Sequence, residues 1–166
     1  MKTPLLLSLL AISALILSNP DDPGKTALAK SPGRFLINPD GTVLDTKTRL
    51  IWMHCAVGQS WDGQICAGDT LKMPWNEAKQ LIGEPAGHGD WRLPTLDELR
   101  TLVRQKNPGM PTIDPTAFPG TPSLGFWSDT PDKGDAFYAL GIDFNYGHIH
   151  SFYRSYDYAV RLVRGG

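Results

Sequence analysis

An excess of charge of either sign is what this sequence lacks most clearly. Its 166 residues include 16 lysines and arginines and 17 aspartates and glutamates, for a formal net charge of −1. Proteins that bind the nucleic-acid backbone need a marked excess of basic residues. The balance therefore excludes an electrostatic nucleic-acid binder, while the length suits one domain with a real core.

The sequence also lacks the arrangements that are typical of catalysis. It shows no serine, histidine and aspartate in a triad order, no pair of catalytic carboxylates and no phosphate loop. Internal repeats are absent as well. What it does contain is 17 glycines, 14 prolines and five tryptophans with few long periodic runs. This composition predicts a loop-rich domain with short strands and few helices.

An apolar run long enough to span a membrane is missing too. Residues 5–17 are apolar and follow a weakly basic start, which is typical of a secretory signal peptide, here residues 1–18. Residues 19–33 are rich in proline and glycine and predict a flexible leader. Residues 34–166 are then the domain. We expect an exported protein, periplasmic or extracellular, with no membrane association after cleavage.

Cysteine is scarce, with Cys55 and Cys66 alone in the chain. In an oxidising compartment a disulfide between them is the default expectation. A metal pair or a redox couple is the alternative, but the spacing is not that of a C-x-x-C motif. We therefore favour the structural bridge.

A helix start is the clearest local signal. Thr95 and Glu98 have the spacing of a capping box, and apolar residues then recur at helical spacing, which predicts a helix over residues 95–104. Just before it, Asp90 and Arg92 flank Trp91 on what should be an extended chain. The pair could clamp a ligand, but we favour a structural brace that locks the chain into the helix.

Shorter patterns predict the remaining elements. A proline followed by an apolar stripe predicts a helix over residues 74–82. Apolar and β-branched runs bounded by turn residues predict strands, and the predicted strands are residues 34–37, 42–44, 50–53, 126–128, 137–144, 148–153 and 158–163. Two of the turns between them predict hairpins.

Two groups of residues are candidate metal ligands. Asp129, Asp132 and Asp135 share a predicted loop and could hold calcium through carboxylate oxygens, although an ordinary solvated loop is the reading we favour. His148 and His150 lie two apart on one face of a predicted strand. They could hold a transition metal or contact a ligand, but no third ligand is identifiable. No other cofactor is indicated.

Aromatic residues are candidates for stacking on sugar rings. The candidates are Trp61, Tyr138, Tyr146, Phe152, Tyr153 and Tyr156. Of these, Trp61 in the loop between the cysteines and Tyr146 in a turn are expected to be exposed and to contact ligand. The other tryptophans, Trp52, Trp75, Trp91 and Trp127, are expected to pack in the core.

An ordered set of motifs is similar to one known family. The motifs are Gly41-Thr42-Val43-Leu44-Asp45, Leu50-Ile51-Trp52, Cys55, Trp75-Asn76-Glu77-Ala78, Asp90-Trp91-Arg92-Leu93-Pro94 with Glu98-Leu99, Ile113-Asp114, Phe118-Pro119, Phe126-Trp127-Ser128 and Val160-Arg161-Leu162-Val163-Arg164. With these motifs the chain resembles the Lcl C-terminal domain family, named after a bacterial collagen-like adhesin. Arg49 stands where that family usually has glycine.

The resemblance implies an α+β, C-type-lectin-like fold: two short helices packed on short antiparallel strands, with long irregular loops. The family's adhesin is a trimer that binds sulfated glycosaminoglycans, which implies a glycan partner and an oligomer. This chain is near neutral and has no collagen-like segment. Calcium-dependent lectins of the wider fold use a Trp-Asn-Asp tripeptide, and Trp127-Ser128-Asp129 is similar to it.

The function expected from these observations is that of an exported, non-enzymatic binding module. It would recognise a glycan or a surface or envelope protein through its loops. One alternative is an oxidoreductase like the formylglycine-generating enzymes, which share the lectin-like fold, a related Arg-Leu-Pro-Thr stretch and a need for reactive cysteine. The other is a structural role in envelope assembly.

Overall fold

Short strands joined by glycine- and proline-rich turns make up most of the molecule. The computed structural model describes residues 33–81, 90–105 and 109–166, and residues 32–166 form one unit. The predicted signal peptide and nearly all of the predicted leader lie outside the described residues. Within the described part, two helices accompany the strands, and neither is long and apolar enough to cross a bilayer. The architecture is α+β with mostly β structure.

The described strands form two main sheets and one small hairpin. In chain order the strands are β1 (Phe35–Ile37), β2 (Thr42–Asp45), β3 (Ile51–Met53), β4 (Ser60–Trp61), β5 (Cys66–Ala67), β6 (Lys72–Met73), β7 (Gly125–Pro131), β8 (Tyr138–Asp143), β9 (His148–Tyr153), β10 (Tyr158–Ala159) and β11 (Val163–Arg164). The first sheet has the order β1-β2-β3-β11, the second β6-β10-β7-β8-β9, and β4 pairs with β5.

The first sheet brings the two ends of the domain together. Its β2–β3 hairpin is confirmed, and β11 adds to β3 with Val163 opposite Trp52. Asp45 closes the hairpin loop, since its buried carboxylate accepts from the Lys47 N–H at 3.0 Å and from the Thr48 hydroxyl at 2.8 Å. Arg49 in this loop has φ +64°, the one positive φ at a described residue other than glycine, so it adopts a conformation that glycine tolerates best.

The second sheet is built on the long antiparallel strands β7, β8 and β9. The β8–β9 hairpin is confirmed, with six consecutive residue pairs from Tyr138–Tyr153 to Asp143–His148. Gly141 lies under Phe152, where a Cβ would lie 2.3 Å from the Phe126 carbonyl oxygen. The sheet therefore needs glycine at this point to seat the phenylalanine ring.

The two helices are shorter than predicted. α1 spans Trp75–Ala78 and α2 spans Leu96–Arg100, against the predicted residues 74–82 and 95–104. Beyond the C-cap residues Lys79 and Thr101 the chain continues with bonds of the tighter i to i+3 type, as from the Leu102 N–H to the Leu99 carbonyl at 3.1 Å. Residue 82, at the predicted end of the first helix, lies outside the described residues.

The last predicted strand, residues 158–163, is in fact two strands in different sheets. β10 pairs with β6 and β7, whereas β11 pairs with β3. Between them Val160, Arg161 and Leu162 are fully buried. The chain crosses between the sheets here because the Val57 N–H bonds to the Val160 carbonyl at 2.9 Å and the Met53 N–H bonds to the Leu162 carbonyl at 3.1 Å.

Two apolar clusters form the core. One joins α2 to the first sheet and to Phe126 and Phe144, and the other surrounds Trp127 and Phe152. The four tryptophans expected in the core are confirmed there, namely Trp52, Trp75, Trp91 and Trp127. Two of their indole N–H groups donate across elements, from Trp75 to Ser128 and from Trp127 to Met73.

Candidate functional site

The capping box at the start of α2 is confirmed. The Thr95 hydroxyl accepts from the Glu98 N–H at 3.2 Å, and the Glu98 carboxylate accepts from the Thr95 N–H at 2.8 Å. Arg92 joins the same carboxylate at 2.7 and 2.8 Å. Burial alone would raise the pKa of Glu98, but the hydrogen bonds from Arg92 and Thr95 outweigh it and hold that pKa below its usual value.

The expected pairing of Asp90 with Arg92 is wrong. Asp90 instead lies 3.6 Å from Arg164, while Arg92 bridges to Val163 in β11 and turns its guanidinium to Glu98. The reason is that the pairing of Arg92 with Val163 places Arg92 beside the N-terminus of α2. The Glu98 carboxylate lies there and accepts from the guanidinium. Trp91 is buried between them. The brace is real, but it joins Arg92 to the helix cap.

The disulfide between Cys55 and Cys66 is confirmed, so neither cysteine is a free thiol. It closes a loop that contains the β4–β5 hairpin, in which Trp61 lies opposite Cys66. Trp61 is half-buried, not exposed as expected, because its ring packs edge-on against His54 with centroids 4.2 Å apart. A cleft of about 370 Å³ beside it is lined in part by Asp40, Gln59 and Trp61.

Arg161 and His54 form a buried polar contact behind that hairpin. Arg161 Nη1 donates to the Met53 carbonyl at 2.7 Å and to the His54 carbonyl at 2.5 Å, and Nη2 donates to Thr121 Oγ1 at 2.8 Å. Burial lowers the pKa of Arg161 to about 9, which leaves it charged at neutral pH. Burial, and then the charge of Arg161, lowers the pKa of the His54 imidazole.

The three aspartates proposed for calcium do not form a metal cluster. Asp129 lies within β7, not in the loop, because β7 continues to Pro131, which pairs with Ala139 in β8. The Asp132 carboxylate accepts bonds from Ser151 and from the loop backbone, and Asp135 accepts from the Phe137 N–H at 2.9 Å. No group of three such ligands occurs anywhere in the described ranges.

The histidines of β9 lie on its exposed surface. His148 stacks near Tyr146 with ring centroids 6.2 Å apart, and His150 stacks on Phe152 at 5.6 Å. Tyr146 is 53% exposed in the turn before the strand, as expected. Tyr146 and His148 therefore lie together at the turn end of the β8–β9 hairpin, while His150 packs on Phe152.

The other end of that hairpin gathers a larger aromatic surface. Tyr138 at the start of β8 lies opposite Tyr153 at the end of β9, with ring centroids 5.2 Å apart. Phe137 stacks on Tyr153 at 6.1 Å, and Tyr156 lies 5.5 Å from it. Phe137 and Tyr156 are 66% and 62% exposed. We call these four rings the aromatic end.

Two grooves flank Tyr153 at the aromatic end. The tyrosine groove, about 350 Å³, is lined by Tyr138, Ser151, Phe152, Tyr153, Tyr156 and Tyr158. The arginine groove, about 520 Å³, is lined by Pro74, Asn76, Glu77, Ala136, Phe137, Tyr153, Arg154 and Ser155. Tyr153 lines both grooves, so the two grooves adjoin at this residue.

Arg154 joins the arginine groove to the start of α1 and to the start of β8. Its N–H donates to the Phe137 carbonyl, its carbonyl accepts from the Trp75 N–H, and its Nε donates to the Tyr138 carbonyl, all at 2.9 Å. The guanidinium lies 4.2 Å from the centroid of the Trp75 ring. Among the described residues nothing accepts a hydrogen bond from its Nη atoms, which leaves donors for a ligand.

Another cleft, of about 340 Å³, lies beside β1 and is less suited to a ligand. Its arginines are already paired, Arg34 with Asp45 at 2.6 Å and Arg104 with Asp114 at 3.3 Å. A ligand there would have to displace an ion pair from each arginine.

Sequence reasoning named part of the aromatic end and missed the rest. Tyr138, Phe152, Tyr153 and Tyr156 were candidates for stacking on sugars, whereas Phe137 and Arg154 were not. A signal was available, because a turn centred between Asn145 and Tyr146 pairs residue 138 with residue 153 when the register is counted back along both strands.

The fold and the grooves define a small, mostly β domain with a solvent-exposed aromatic surface. The chain belongs to the Lcl C-terminal domain family, since that family's description matches residues 41–164, from the β1–β2 turn to the last strand. A search of curated proteins found no match.

Proposed function

We propose that this protein is an exported binding module that holds a glycan at the aromatic end. The observation that carries the proposal is the convergence of Phe137, Tyr138, Tyr153 and Tyr156 around two grooves. Monomeric proteins rarely leave such large apolar side chains exposed together unless they bind something. Rings on a hairpin of paired strands are also held rigidly, which lowers the entropy lost on binding.

Several features favour a glycan as the ligand. A sugar ring has C–H faces that pack on aromatic rings and hydroxyl edges that need donors and acceptors. The aromatic end supplies both, since tyrosine rings lie beside Ser151, Asn76, Glu77 and Arg154. Sites with apolar walls and a few placed polar groups are typical of small-ligand recognition.

The proposal includes the finer fold and the location. A C-type-lectin-like fold is supported by the pairing of both terminal strands into one sheet, the two short helices and the long loops between α2 and β7. Export is supported by the apolar run at residues 5–17 and by the disulfide, which is typical of oxidising compartments. The bridged cysteines favour a binding module over an enzyme that needs a reactive thiol.

A glycan array tests the proposal. The wild-type protein is screened with and without EDTA beside Tyr156→Ala and Tyr146→Ala, which remove exposed tyrosines at opposite ends of the β8–β9 hairpin. We expect Tyr156→Ala to lose the array signal and Tyr146→Ala to keep it, both with wild-type melting temperatures. EDTA should change nothing, because no calcium is part of the proposal.

Two results would count against it. If the wild type binds no glycan, the ligand is of another class. If Trp61→Ala abolishes binding while Tyr156→Ala does not, the site is the cleft beside the disulfide hairpin.

A further inference from the structure

We propose that the aromatic end takes an uncharged oligosaccharide chain that crosses Tyr153, with sugar units in both grooves. This rests on the proposed function and goes beyond it by naming the ligand's length and charge. The first reason is the shape of the site. Both grooves share one wall, the Tyr153 ring, so a linear chain can occupy them in succession while a single sugar fills only one.

The second reason is that each groove has its own exposed ring. Tyr156 lines the tyrosine groove and Phe137 lines the arginine groove, and each lies beside Tyr153, at 5.5 and 6.1 Å between centroids. The Phe137 and Tyr153 rings are within 15° of parallel. Each groove thus pairs the shared Tyr153 ring with a second exposed ring, stacked in the arginine groove and tilted by 57° in the tyrosine groove, which defines two neighbouring subsites.

The third reason is charge. The arginine groove sets the Arg154 guanidinium against the Glu77 carboxylate, with the Asn76 amide and the Ser155 hydroxyl beside them. Donor-only and acceptor-only groups in one groove suit vicinal hydroxyls, each of which donates and accepts. The groove's lining residues carry one positive and one negative charge, so the lining itself favours neither an anionic nor a cationic sugar.

The tyrosine groove has no charged lining at all. Its polar groups are the hydroxyls of Ser151 and of the tyrosines. Asp132, whose carboxylate accepts a bond from the lining residue Ser151, would repel an anionic ligand. Both grooves therefore favour neutral sugars.

Calorimetric titration of the full chain tests the inference. The probes are neutral gluco-, galacto- and N-acetylglucosamine-oligosaccharides of one to six units, a heparin fragment of matched length and a proline-rich peptide, which can also dock on aromatic grooves. For the neutral series that binds, we expect affinity to rise by about tenfold or more from one unit to three and then level off. The heparin fragment and the peptide should bind more weakly.

Variants assign the two subsites. Phe137→Ala and Tyr156→Ala should each remove most of the gain from chain length, whereas Tyr146→Ala should keep it. Glu77→Gln should weaken neutral chains by about tenfold, since it replaces a charged acceptor, without strengthening the heparin fragment. All four should melt like the wild type, because the changed side chains are exposed.

The outcomes separate the two proposals. If neutral sugars bind with an affinity that does not depend on length, or if the heparin fragment binds more tightly, this inference is overturned and glycan binding stands. If the peptide binds and no sugar does, both proposals fail.

Discussion

The polar groups of this domain behave differently in two regions. In the frame, which we define as Arg92, Glu98, Arg161 and the Cys55–Cys66 disulfide, the charged side chains bond to other groups of the protein. At the aromatic end, rings and the Arg154 guanidinium line open grooves. Arg92 and Glu98 belong to one of the motifs shared with the family, and they hold α2 to β11. An ion pair within a family motif therefore need not mark the ligand site, and mutation should separate stability from binding.

Arg161→Ala should give the largest loss of stability in the frame. The change removes the buried donors of the Met53 and His54 carbonyls and leaves a cavity, so we expect a loss of about 3–5 kcal/mol in the free energy of unfolding. Urea denaturation measures it. Arg100→Ala, which removes an exposed arginine in α2, should change stability by less than about 0.5 kcal/mol. If the two changes lowered stability equally, the buried bonds of Arg161 would not stabilise the domain.

Loss of the disulfide should come next. Replacing both cysteines by alanine frees the unfolded loop, and loop-closure entropy predicts a loss of about 3 kcal/mol. Thermal and urea unfolding give the size of the effect. Glycan binding by the folded fraction should be unchanged, because neither groove is lined by a residue of the disulfide loop. If the folded double-alanine variant lost its affinity for the glycan, the binding site would lie at the β4–β5 hairpin.

Arg92→Ala should have a smaller effect on stability and none on binding. Its ion pair with Glu98 is partly exposed, with side-chain exposures of 40% and 21%, so we expect about 1–2 kcal/mol after allowing for solvent screening. Arg104→Ala is the matched control, since its pair with Asp114 is longer and more exposed and should cost less. Chemical denaturation distinguishes the two.

Acid should lower the stability of the folded domain in two stages. The folded pKa of His54 is lowered below 6.5, so the unfolded chain binds the proton first and stability falls as the pH drops below 6.5. A second loss follows as the pH falls through the lowered pKa values of Glu98 and Asp45. Melting temperatures across pH should show both. His54→Leu should flatten the first stage, and His150→Gln should leave it intact.

Arg49→Gly should give the smallest effect and the opposite sign. Glycine relieves the strain of φ +64°, worth about 1–2 kcal/mol, but loses about 0.5–1 kcal/mol in chain entropy. A net gain of up to about 1 kcal/mol is expected in urea denaturation. Lys47→Gly in the same loop should destabilise, and a gain there would mean that the loop tolerates glycine anywhere.

Local chemistry made part of this structure predictable. The capping box, the two hairpins, the disulfide and the buried tryptophans each follow from patterns within a few residues. The split of residues 158–163 between two sheets does not, because the apolar pattern runs through without a break and the partner strands β3, β6 and β7 are distant in sequence. Arg161 was hidden for the same reason, since an arginine in a strand pattern is normally exposed.

The aromatic end was predictable only in part. The tyrosines could be named from composition, but their convergence depends on the β8–β9 register and on the return of the chain at Arg154. For Trp61 the prediction of exposure was wrong. Its position in a loop suggested an exposed ring, but the ring packs against His54 and is half-buried. Which ring is exposed depends on packing between distant segments.

The most direct test of the separation between frame and aromatic end is a paired measurement on Arg92→Ala and Tyr156→Ala. Each variant is melted and then titrated with the oligosaccharide that the wild type binds best. We predict that Arg92→Ala melts earlier and binds normally, whereas Tyr156→Ala melts normally and loses most of its affinity. The reverse pattern would contradict the account and place the ligand at the start of α2.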